Sequence, residues 1–170
     1  MKKFFLFAFA LAGITLTTNA QATATATASA TIVTPIAISK TADMNFGNIA
    51  VSASTSGTVI LAPAGTRTTG GAGGVTLPAT TGTVAAAAFT VTGNGSYTYA
   101  ITLPGSPVTL TRASGSETMS ASSFTSTPSG TGTLSSGTQN VTVGATLSVA
   151  AGQVAGVYSS GNFNVTVNYN

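Results

Sequence analysis

Two stretches of this chain alternate apolar and polar residues without a fault. Val141, Val143, Ala145, Leu147 and Val149 mark the first, within Gln139–Val149. Phe163, Val165, Val167 and Tyr169 mark the second, set against Asn164, Thr166 and Asn168. Side chains on a pleated backbone point to opposite faces in turn, so this pattern means strands with one dry and one wet face. No window beyond the first twenty residues has a convincing helical period. The chain has to fold as sheet.

Shorter candidates lie around these two. Met44–Ile49 reads as a short strand turned by Gly47, and Val59–Leu61 as another closed by Pro63 and Gly65. Ala86–Thr92 and Ser96–Leu103 flank Gly93-Asn94-Gly95. Asn-Gly between such runs predicts a hairpin, with Phe89 and Val91 facing Tyr97, Tyr99, Ile101 and Leu103. Val108–Leu110 is short, and Glu117–Ser126 carries Met119 and Phe124 with a register break between them. Gly-rich Arg67–Pro78 and Ser/Gly/Thr-rich Thr127–Gly137 read as surface loop. Short strands with Gly, Pro and Ser punctuation predict an all-β sandwich of about 7–9 strands, around one core about 10 Å thick.

A terminal strand such as Phe163–Tyr169 either fills a slot in its own sheet or lies at an edge. At an edge, its unpaired backbone groups recruit another strand. The opposite end of the chain offers one. From Gln21, Ala22, Ala24, Ala26 and Ala28 alternate with Thr23, Thr25 and Thr27, continuing through Ala30 and Ile32 until Pro35 interrupts. Alanine disfavours strands and threonine favours them. Two readings therefore stand: a low-complexity start, or an extended strand whose small side chains slot between larger ones.

Ahead of that segment, Lys2 and Lys3, the apolar Phe4–Leu16 and the small-x-small Thr18-Asn19-Ala20 have the layout of a bacterial export signal cut after Ala20. The apolar run is too short for a membrane span and no second one follows. The expected plan is a signal at 1–20, an Ala/Thr-rich extension or donor strand at 21–31, and a sandwich at 32–170. The mature chain is expected to be secreted or held at the cell surface by way of the periplasm, with no stable membrane span.

Past Ala20 the charges are Lys40, Arg67 and Arg112 against Asp43 and Glu117. Charged residues make up 4% of the chain, where a soluble domain typically has about 25%. Solubility falls to Thr, Ser, Asn and Gly, a surface suited to packing against copies of itself. There is no basic patch, so nucleic acid has no electrostatic footing. Without cysteine there is no disulfide staple, and apolar burial must hold the fold.

Residues for chemistry are scarce. A metal needs clustered ligands, and with no His or Cys only the distant Asp43 and Glu117 remain, so neither metal nor cofactor is expected. A serine nucleophile lacks its histidine base, and Lys40 sits in no Ser-x-x-Lys. Glycoside hydrolysis would need Asp43 and Glu117 to meet in space. Lys40, Glu117 and a strand asparagine are the residue types of an intramolecular isopeptide crosslink. Gly70–Gly74 lacks the Lys-Ser/Thr and the helix of a phosphate loop. Tyr97, Tyr99, Tyr158 and Tyr169 suit a sugar-stacking platform, although Tyr97 and Tyr99 share a face with Ile101 and Leu103 and fit a core. No enzyme activity is expected.

Met44-Asn45-Phe46-Gly47-Asn48-Ile49 and the close from Ala155 to Tyr169 carry a resemblance. The mature chain resembles the bacterial exported family called domain of unknown function 4402, in which an Ala/Thr-rich start leads to Leu/Met-x-Phe-Gly-Asn and a Gly-x-Phe-x-Val-Thr-Val-x-Tyr ending. Ser159-Ser160 is an insert-like difference before Gly161. More loosely it is similar to spore-coat-U-type and chaperone–usher pilus subunits. That similarity implies an incomplete immunoglobulin-like, pilin-like sandwich, recognised by a periplasmic chaperone and an usher and completed by strand addition from a sibling. On this resemblance Phe163, Val165, Val167 and Tyr169 line the assembly groove, and Ala22, Ala24, Ala26, Ala28, Ala30 and Ile32 belong to the donor. The chain departs from many pilus subunits in having no cysteine and a donor made mainly of alanines. The expected role is a non-enzymatic structural subunit of a surface filament or coat. The alternative is a self-contained adhesive or glycan-binding module.

Overall fold

The structure, a computed structural model, describes residues 20–170. Apart from Ala20, the expected export signal lies outside the described residues. The chain divides into Met1–Ile32 and Val33–Asn170. Of the first unit, residues 20–32 are exposed throughout and belong to no strand, and Ile32 is 98% exposed. The extended-strand reading of residues 21–31 is thus not realised within one copy. Within this copy the segment makes no ladder and its side chains stay exposed, so nothing here offsets the entropy of ordering it.

The second unit is all β, and every ladder in it is antiparallel. In chain order its strands are β1 (Ala37–Ala42), β2 (Asn45–Phe46), β3 (Ala50–Val51), β4 (Gly57–Leu61) and β5 (Arg67–Gly70). Then come β6 (Val75–Thr76), β7 (Val84–Ala85), β8 (Ala87–Thr92), β9 (Thr98–Thr102) and β10 (Val108–Arg112). The last are β11 (Thr118–Thr127), β12 (Thr131–Thr133), β13 (Thr138–Val149), β14 (Tyr158–Ser160) and β15 (Thr166–Tyr169). Of these fifteen segments, β2, β3, β6 and β7 are two-residue ladders, and the eleven longer ones still exceed the expected 7–9 strands. No helix of the described residues is long and apolar enough to cross a membrane.

The faultless alternation of Gln139–Val149 becomes the spine. One edge of β13 pairs with β11, and the other pairs first with β8 and then with β4. β1 extends this eight-stranded sheet beyond β8, β5 beyond β4, and β10 and β14 beyond β11. The second layer of the sandwich comes in pieces: β12-β9-β15, β2-β7 and β3-β6. Two clusters fill the space between. Val59, Leu61, Leu147 and Val149 pack with Phe46 and Val75. Val91, Val141 and Val143 pack with Tyr99, Ile101, Leu134 and Val167.

The register break in Glu117–Ser126 is present as a bulge between Ser122 and Thr125, with Ser123 at φ 51. The extra residue changes which side chains point inward, so Ala121 before it and Phe124 after it both reach the core.

Three expectations need correction. β8 and β9 do not form a hairpin: β8 pairs with β1 and β13, and β9 with β12 and β15. The Gly93-Asn94-Gly95 turn carries the chain from one layer to the other, its backbone bonded to Gly137 on both sides. Phe89 and Val91 therefore meet the β9 side chains across the core rather than along a ladder. Arg67–Pro78 holds β5 and β6 and buries Val75, and Thr127–Gly137 holds β12 and buries Leu134. Tyr99 is fully buried as a core residue, but Tyr97 is 46% exposed.

Candidate functional site

The second layer is interrupted between two walls. One is Lys40–Val51, and the other is Gln153–Asn164, which leads from the edge of the large sheet towards β15. Between them lies a groove of about 1200 Å³ whose floor includes Leu110, Met119, Phe124 and Leu147. Met44, Ile49, Val51, Leu110, Met119, Phe124 and Phe163 are only half-buried. A sandwich normally covers such side chains with a strand of the facing sheet. Here the groove leaves them only partly covered.

A second open feature is the outer edge of β15, which follows the second wall in the chain. β15 is the end strand of β12-β9-β15, and β1 lies near it without forming a ladder. Antiparallel ladders send the backbone groups of alternate residues to opposite edges. Asn170 N–H donates to the Thr98 carbonyl at 3.3 Å in the register that pairs Asn168 with Ala100. On the far side of β9, Ile101 N–H donates to Gly130 and Leu134 N–H to the Tyr97 carbonyl. Even-numbered residues of β15 thus serve β9, while Val167 and Tyr169 turn their N–H and C=O outward. The residues that face the core also present the open backbone edge.

Of the four proposed groove residues, Phe163 lines the groove, Val165 is half-buried, Val167 is buried in the core, and Tyr169 is half-buried at the end of β15. Only Thr166–Tyr169 is laddered. The Tyr169 hydroxyl accepts from Asn94 N–H at 2.6 Å and donates to the Thr34 carbonyl at 2.8 Å. It ties β15 to the interlayer turn and to the root of the N-terminal segment. Tyr169→Phe is expected to keep the ring's packing but lower unfolding stability by about 1–2 kcal/mol, measured by urea titration. A smaller loss than about 0.3 kcal/mol would mean the tie is idle.

Sequence reasoning missed what holds the first wall. Gly47, at φ 69, turns the chain so that Asn48 N–H reaches the Thr81 carbonyl at 2.7 Å, and Asn48 Nδ2 donates to Thr80. The Arg67 guanidinium then donates to the carbonyls of Phe46, Asn48 (2.7 Å) and Thr81 (3.3 Å). Phe46-Gly47-Asn48 is thus a pinned corner of the groove. The available signal was a rare arginine in a chain with few charges.

The second wall is fastened in a similar way. Arg112 Nε donates to the Ala155 carbonyl at 2.9 Å, and the Tyr158 hydroxyl to Val154. Asp43 pairs with Lys40 at 2.6 Å, and Glu117 with Arg112 at 3.4 Å. Each carboxylate is engaged by its own neighbouring cation, and Lys40 is paired with Asp43 rather than Glu117. Elsewhere, burial pushes the Tyr99 phenol above its usual range, and its hydroxyl donates to Gln139 Oε1 at 2.6 Å.

Fold and groove together define an all-β protein of antiparallel sheets with a groove over a partly apolar floor. Residues 36–169 match the family described as domain of unknown function (DUF4402), and the chain belongs to that family. No curated protein and no solved structure matches it.

Proposed function

We propose that this protein is a non-enzymatic structural subunit of a bacterial surface filament or coat, exported through the periplasm and assembled by β-strand addition. The observation that carries the reading is the groove, with apolar side chains in its floor between two pinned walls, together with the outward backbone groups of Val167 and Tyr169 at the end strand β15. Such an edge invites a strand, with main-chain bonds supplying affinity and side-chain pockets specificity. The exposed, unpaired Gln21–Thr31 supports the same reading, since it alternates as a strand does and has no charged side chain. A periplasmic chaperone covering the groove before assembly, and an usher, fit an exported chain with an aggregation-prone edge.

Deleting Gln21–Ala30 from the mature chain is expected to abolish higher assemblies on native gels. The unfolding free energy should stay within about 0.5 kcal/mol, because the segment is exposed. Equal assembly by truncated and full-length chains would refute the proposal.

A glycan-binding module is the second reading. It is favoured by a second cleft, of about 490 Å³, that shares Met119 and Val149 with the groove and includes Thr58, Thr109, Thr118, Ser120 and Ser148 among its lining residues. Those hydroxyls suit sugar hydrogen bonds, but no aromatic ring lines the cleft to stack a pyranose.

A further inference from the structure

On the strand-addition reading above, we infer that the groove is sized for a strand with small inward side chains, and that Phe124 and Phe163 set the limit. The occupant is the Ala22–Ile32 alternation of a second copy of this chain.

The space is already partly taken. Phe124 is turned inward by the β11 bulge, where Ser123 adopts φ 51. Phe163 comes from the second wall and meets it with ring centroids 5.3 Å apart and planes tilted by 39°. The pair links floor to wall within the groove, and Met44, Leu110 and Met119 add further bulk to the lining. Interiors pack to crystal-like density, so a large knob placed above a filled floor has to displace something. Methyl groups fit where isobutyl groups do not.

The extension has the matching form. Ala22, Ala24, Ala26, Ala28 and Ala30 occupy one face, while Thr23, Thr25, Thr27, Ser29 and Thr31 occupy the other. Threonine favours the extended backbone that alanine alone would not hold. The segment has no charged side chain to desolvate, and the charges at the groove's rim, Lys40 and Asp43, already pair with each other. Fully extended, Gln21–Ile32 reaches roughly 40 Å. Main-chain bonds to Val167 and Tyr169 would set register, and side-chain size would set selectivity.

The test uses the mature chain, residues 21–170, released from denaturant, with assembly followed by light scattering and native gels. Ala24→Leu, Ala26→Leu and Ala28→Leu are compared with the outward-face control Thr25→Leu. All four lie in the exposed segment, so folding of the domain is untouched. At least one alanine variant is expected to assemble tenfold or more slowly, while the control stays within twofold of the parent. Adding Phe163→Ala to the slow variant should restore its rate to within threefold, with Phe163→Leu as the milder substitute should the alanine loosen the fold. Assembly as fast as the parent by all three alanine variants would overturn the size limit while leaving strand addition intact. So would equal slowing by Thr25→Leu, or failure of both Phe163 substitutions to rescue. A parent chain that never assembles would instead sink the strand-addition reading itself.

Discussion

Gly144→Ala is expected to destabilise the protein by about 3 kcal/mol or more, and Gly144→Val to prevent soluble folding. Gly144 is buried on the outer side of β13, where β13 exchanges β8 for β4 as its partner. The departing chain at Leu61–Pro63 crosses directly over it. A Cβ there would overlap the Leu61 carbonyl oxygen and stand 2.8 Å from the Ala62 carbonyl carbon and 2.9 Å from the Pro63 nitrogen. These are backbone atoms of a strand end and cannot swing aside as a flexible side chain would. Relief means separating β4 from β13, which uncovers Val59, Leu61 and Leu147 together. Thermal and urea unfolding followed by circular dichroism would measure the loss. Gly105→Ala is the matched control: Gly105 is exposed, with nothing within 4 Å of the added methyl, and a change within about 0.5 kcal/mol is expected. Equal effects at the two sites would mean that the close approach at Gly144 is not a constraint.

Gly144 also marks the border of what was legible in the sequence. The alternation from Val141 to Val149 identifies the strand and its buried face, because side-chain period is a local property. It does not say which strands lie on either side, since many partners bury the same face equally well. Gly93-Asn94-Gly95 has the same ambiguity. Its residues specify a reversal, and Phe89, Val91, Tyr99 and Ile101 gain the same burial whether they meet along one sheet or across two. Glycines misled in another way. Gly70–Gly74 suggested an excursion into solvent, yet a Cβ on Gly74 would overlap the Thr55 carbonyl, so glycine is there to let backbones touch. Of the candidate site, the period of Phe163–Tyr169 and the turn at Gly47 could be read directly. The groove itself could not, because it is a gap between Met44–Val51 and Gln153–Asn164, and no local pattern encodes a missing neighbour.

Arg67→Met is expected to cost about 2–4 kcal/mol while leaving the strands assembled. The guanidinium is the shared donor for three carbonyls, those of Phe46, Asn48 and Thr81. Phe46 is buried and the arginine itself is half-buried, so a lost bond is not fully replaced by water. Hydrogen bonds from a charged donor contribute about 1.5–3 kcal/mol each when sheltered, and the more exposed ones fall below that range. Methionine keeps the apolar stem, so the difference reports the planar head rather than packing. Arg67→Lys should recover less than half of the loss, because one ammonium cannot span carbonyls on two segments as a flat fork does. The local signature is as informative as the global one. Amide exchange at Asn48 should quicken first, since its N–H rests on the Thr81 carbonyl that Arg67 also holds. A free-energy change below about 0.5 kcal/mol, with Asn48 still protected, would show that the corner is held by Gly47 and the β2–β7 ladder alone.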